Sequence, residues 1–169
     1  DPGEPAPTDV IAGPYGFEDD AEGWTTAVAG TPTSMWMRGE PGHDSDISFQ
    51  VDQYNSGANA TLTSPEIEVD GTEVAIAWWH AVQMEGGGFD EMAVEWSADG
   101  SDWTRLASYG VSADFPAFTE QLLRFTPDAG TIQIRFLVFA DEICDSVETV
   151  SCGADSLTGA FVDDVTILS

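Results

Sequence analysis

The stretch Gly159-Ala160-Phe161-Val162-Asp163-Asp164-Val165-Thr166-Ile167-Leu168 decides the fold. Its β-branched and aromatic residues read as a β-strand. Side chains alternate across a strand, which puts Phe161, Asp163, Val165 and Ile167 on one face. Three of these four are apolar, so that face is expected to look into a core. Asp163 then sits among apolar neighbours, where an unpartnered carboxylate is costly. The strand must supply it with a partner: a metal ion, a histidine, or a set of backbone N–H groups.

Outward from this strand the chain repeats one pattern, short apolar runs broken by turn residues such as Val69-Asp70-Gly71-Thr72, Ala98-Asp99-Gly100-Ser101 and Pro127-Asp128-Ala129-Gly130. Apolar spacing of three and four over a dozen residues is not found. Strands are expected over 15–18, 35–38, 47–51, 60–64, 73–82, 91–97, 103–108, 118–125, 131–140 and 159–168. Many short strands at this spacing predict an all-β jelly-roll β-sandwich of two antiparallel sheets. Alternation puts Val74, Ile76, Trp78 and His80 on one face, and Asp90, Met92, Val94 and Trp96 on another. Residues 131–140 are apolar on both faces in their second half, as in a central strand. Residues 1–13 are rich in Pro and Gly and read as a linker from an upstream domain. The domain proper is expected over 14–169.

The charge balance narrows the partners. Thirty-one acids against four arginines and no lysine give a net charge of −27. Nucleic acid and anionic membrane surfaces are poor partners for such a chain, and divalent cations are good ones. No run approaches the roughly 18 apolar residues of a membrane span. Cys144 and Cys152 enclose a short loop, and a disulfide between them implies an oxidising, extracytoplasmic compartment. The expected location is secreted or at the cell surface.

Several stretches together resemble the MAM-like, calcium-associated jelly-roll modules appended to secreted bacterial peptidases of the immune-inhibitor-A type. They are Gly16-Phe17-Glu18 with Gly23-Trp24, Met35-Trp36-Met37-Arg38-Gly39-Glu40-Pro41, Leu62-Thr63-Ser64-Pro65-Glu66-Ile67, Trp78-Trp79-His80, Val94-Glu95-Trp96-Ser97-Ala98-Asp99-Gly100, Ile134-Arg135-Phe136 and Val162-Asp163-Asp164-Val165. Their order covers nearly all of 15–169. The chain departs from the pattern at Gly159-Ala160-Phe161 and in the insertion holding both cysteines. The resemblance implies a calcium site joining the first strand to the last, with Glu18 and Asp163 as the matching residues. Asp164 and Asp46 are candidate additions, as are Asp19, Asp20 and Asp44. Calcium takes six to eight oxygen ligands, so such a mixed set is chemically apt.

Other chemistry is weaker. His80 could pair with Asp163 or Asp90, or be a hydrogen-bonded core histidine; His43 is expected to be exposed. No nucleophile or metalloprotease signature is present. Glu85 lies beside Gly86-Gly87-Gly88 with no second acid marked. Trp79 and Trp103, with Tyr54 and Tyr109, are the aromatic side chains available for stacking a sugar, the other tryptophans reading as core. The expected role is a non-catalytic, calcium-stabilised accessory module, monomeric, beside a catalytic domain such as a peptidase or other hydrolase. It would act in stabilisation or in binding a polysaccharide or protein. A carbohydrate-binding module and an adhesion or protein-interaction domain are the alternatives.

Overall fold

Among the residues described by the computed structural model (7–29, 34–52, 54, 57–141 and 158–169) all regular structure is strand. In chain order the strands are β1 (Val10–Tyr15), β2 (Thr25–Val28), β3 (Met37–Gly39), β4 (Ser48–Val51), β5 (Asn59–Thr63), β6 (Ile67–Glu68), β7 (Val74–Gln83), β8 (Glu91–Ser97), β9 (Thr104–Tyr109), β10 (Thr119–Phe125), β11 (Thr131–Phe139) and β12 (Gly159–Leu168). One sheet runs β10-β7-β12-β4-β3 with β1 also paired to β12; the other runs β2-β5-β11-β8-β9 with β6 paired to β11. Every pairing is antiparallel, giving the expected jelly-roll sandwich.

The terminal strand is the centre of its sheet. β7 pairs along one edge of β12, while β4 takes Ala160–Val162 and β1 takes Val165–Leu168. The chain enters the sheet at Val10, which pairs with Leu168, and Asp9 and Ser169 exchange two backbone hydrogen bonds just outside. The sandwich therefore claims residues 10–13, inside the stretch expected to be linker.

The alternation expected for β12 is corrected by a β-bulge. Asp163 pairs with Trp79, but the next pair is Thr166 with Ala77, so three steps on β12 match two on β7. Asp164 takes the extra place with φ +49°. One added residue reverses the facing of everything before it. Ala160, Val162, Val165 and Ile167 enter the core, while Phe161 and Asp163 point outward.

The core lies between the sheets and is built on Phe17, Trp24, Trp36, Trp78 and Phe136 with the aliphatic residues of β7, β8, β11 and β12. Trp36 donates its indole N–H to the Ala60 carbonyl at 3.1 Å, tying one sheet to the other. β11 lies between β5 and β8; on its outward side Leu137 is buried and the Arg105 guanidinium lies over the Phe139 ring. The expected Cys144–Cys152 disulfide lies outside the described residues.

Candidate functional site

Asp163 is fully buried, yet outside the core. The loop between β3 and β4 lies over it. Its Oδ2 accepts the His43 backbone N–H at 2.7 Å and the Ser45 hydroxyl at 3.3 Å, and its Oδ1 accepts the Asp164 N–H at 2.8 Å. Burial pushes this carboxyl up to about 6, with the His43 and Asp164 N–H groups working against it. Backbone N–H groups, one of the three kinds of partner considered for Asp163, supply two of these contacts. His80 pairs with core-facing Val162 and sits on the opposite face of the sheet. The histidine that serves this corner is His43: Nδ1 lies 2.8 Å from Asp164 Oδ2, and the ring stacks on Trp79 at 3.7 Å and 10°.

The same loop reaches the start of the chain. The Ile47 N–H donates to Glu18 Oε1 at 2.8 Å, and this bond is the main reason the Glu18 carboxyl is held below its ordinary range. The loop thus clasps the beginning of the chain to its end through N–H donors. Glu18, Asp46, Asp163 and Asp164 do not bring three carboxylates into one group. The positive charge at this corner belongs to Arg38, whose Nε and Nη2 donate to the Phe17 and Glu18 carbonyls at 2.8 and 2.7 Å.

Trp79 and Trp103 lie on opposite faces of the sandwich. Trp79 points outward from the first sheet beneath the His43 ring, and Phe161 beside it is covered by Phe115 and Phe118. Trp103 precedes β9 on the outward side of the second sheet, with the Arg135 guanidinium 4.1 Å above its ring. Sheet register builds a row here: Thr25, Thr63, Arg135, Glu95 and Arg105 are successive partners across five strands. Glu95 is buried between the two arginines; its Oε2 lies 2.6 Å from Arg135 Nε and its Oε1 3.2 Å from Arg105 Nε. The next row is Ala27, Thr61, Leu137, Ala93 and Ser108. Apart from Leu137 this row carries only small side chains, beside a fixed line of donors and one indole.

His80 is held neutral in the core. Burial lowers its pKa to about 4, and its Nδ1 accepts the Trp78 indole N–H at 3.3 Å. A third feature is an acidic group the sequence left unassembled. Glu85, Asp90 and Asp141 converge where the β7–β8 turn meets the end of β11. The available signal was Asp90 itself, an acid in phase with Met92, Val94 and Trp96.

Neither a family model nor a curated protein sequence matches the chain. Solved structures do match at the level of fold. A cleaved adhesin domain of Lys-gingipain from Porphyromonas gingivalis superposes with TM-score 0.66 at 17% identity, covering 91% of this chain and 95% of that one. The module TmCBM61 in complex with β-1,4-galactotriose gives 0.62 at 13% identity, covering 95% and 99%. The CBM22-1 xylan-binding domain of Paenibacillus barcinonensis Xyn10C gives 0.58 at 12%, covering 98% and 97%.

Proposed function

We propose that the chain is a non-catalytic accessory module of a larger secreted or surface-exposed protein, such as a peptidase or other hydrolase, and that it binds a polysaccharide on the outward face of the β2-β5-β11-β8-β9 sheet. The observation that carries this reading is the row Arg135–Glu95–Arg105 beside Trp103. Glu95 holds two guanidinium groups in fixed orientation, and each retains N–H donors for hydroxyl groups. Trp103 offers an apolar plane next to them, the combination of rigid aromatic and convergent polar groups that makes a specific carbohydrate contact. The outward face of the other sheet is covered around Trp79 by loops. The likeness in fold to a galactotriose-bound module and a xylan-binding domain supports the same reading.

The test is retention of the domain in native gels cast with xylan, β-1,4-galactan or arabinan, followed by calorimetry on the best polymer. Trp103→Ala is expected to weaken binding by at least about tenfold, in the range of a central aromatic contact. Trp79→Ala is expected to leave it within about twofold, because that ring lies on the other sheet, beneath the loop between β3 and β4. Binding insensitive to Trp103→Ala, or no retention by any of the three polymers, refutes the assignment. In the latter case a protein ligand becomes the reading to pursue.

A further inference from the structure

We propose that Glu85, Asp90 and Asp141 form a calcium site that joins the β7–β8 turn to the end of β11, away from the clasp at Asp163. One carboxylate oxygen from each of the three residues lies within 4.8 Å of the other two. Calcium–oxygen bonds of 2.3–2.6 Å place ligands on one ion up to about that distance apart, so the three oxygens can share a single calcium. Magnesium, with bonds near 2.1 Å and a rigid octahedron, asks for a tighter set.

The independent observation is Asp90. Its side chain is fully buried, and no arginine or histidine pairs with it. Oδ1 accepts the Asp141 backbone N–H at 2.9 Å. Oδ2 is buried and accepts no hydrogen bond of ordinary geometry, with the Tyr54 side chain as its electrostatic neighbour. A buried carboxylate with an idle oxygen beside two further acids is an arrangement that a cation relieves and that a bare fold has reason to avoid.

The turn is shaped to hold Asp90 in place. Gly86, Gly87 and Gly88 all have positive φ, between 70° and 90°. That path lets the Gly86 N–H reach the Asp90 carbonyl at 2.9 Å, and the Gly88 N–H donate to Glu91 Oε1 at 2.8 Å. Glu91 is thereby directed away from the group while Glu85 and Asp90 remain in it. Asp90 is buried, Asp141 half-buried and Glu85 exposed, so an ion can enter from the Glu85 side and keep water ligands there. This inference does not depend on the polysaccharide reading, and its test uses no polysaccharide.

The experiment is calcium titration of the chelator-treated full chain in 150 mM salt, followed by calorimetry, by the melting temperature, and by terbium luminescence sensitised through nearby aromatic rings. One calcium per chain is expected, with a dissociation constant between about 100 μM and 1 mM, as for extracellular calcium modules. Asp90→Asn is expected to weaken calcium at least tenfold and to extinguish the terbium signal. Glu85→Gln, an exposed change that leaves the fold intact, is expected to weaken it several-fold. Asp163→Asn and Glu18→Gln are expected to leave it unchanged. The proposal is overturned if the chain takes up no stoichiometric calcium. It is also overturned if Asp163→Asn abolishes binding while Glu85→Gln does not, which would put the ion at the terminal-strand clasp.

Discussion

Gly159→Ala lowers the melting temperature by roughly 10 °C, the largest expected effect of a single methyl group in this chain. Gly159 opens β12 with φ +119°, a backbone conformation that side-chain-bearing residues rarely adopt. An added Cβ would overlap the Val51 carbonyl oxygen, a backbone atom of the neighbouring strand that cannot swing aside. The φ strain costs about 1–3 kcal/mol and the forced separation of β12 from β4 a similar amount, about 2–6 kcal/mol together. At roughly 2–4 °C per kcal/mol for a chain of this size, the shift follows. Gly71→Ala is the control. Gly71 has φ +82°, yet an added Cβ meets nothing within 4 Å. It should cost about 1 kcal/mol, the φ strain alone. Equal losses for the two variants would show that β12 and β4 do not approach each other closely at Val51.

The contrast between these glycines shows what the sequence could and could not disclose. Strand content was legible because apolar alternation and turn residues are local signals, and β7, β8, β11 and β12 lie close to where alternation put them. β2 was not legible: Thr25–Val28 is exposed throughout and carries no apolar face. The facing of Phe161 and Asp163 was misread because a bulge at Asp164 leaves no mark in a strict period of two. The need of Asp163 for a partner survived that error, since its burial comes from the loop over it rather than from the core. The identity of the partner was open because backbone N–H groups are invisible in a sequence; every residue has one. Long-range assembly hid the rest. Glu95 joins Arg105 and Arg135 across three strands, and Asp141 meets Asp90 from 51 positions away. Trp79 and Trp103 looked equivalent as free aromatics, but only sheet membership puts them on opposite faces.

Acid titration of the folded chain tests the reading of His80 in the same spirit, by setting opposing groups against one another. The His80 ring faces the Trp78 indole N–H, the Tyr109 ring at 4.6 Å and the cross-strand Val162, so protonation gains it no partner and takes away the Nδ1 acceptor. Its folded pKa of about 4 lies below the ordinary 6.5. A group depressed on folding contributes stability that is present above pH 6.5 and lost as pH falls through 4. The lowering from 6.5 to about 4 corresponds to about 3 kcal/mol at full development. Asp90 and Asp163 act in the opposite sense: burial raises both to about 6 from 3.8, so each adds stability as pH falls from 6 towards 4. Relief of the net charge of −27 works in the same direction as the carboxyls. The wild-type stability between pH 7 and pH 4 is therefore a balance in which one histidine offsets the acids. His80→Asn keeps an acceptor for the Trp78 N–H and removes the titration. Its unfolding free energy in urea should rise relative to wild type as pH is lowered from 7 to 4, approaching a difference of about 3 kcal/mol at the acid end. A difference that stays constant across this range would mean that His80 titrates alike in the folded and unfolded chain, and would remove it from the core.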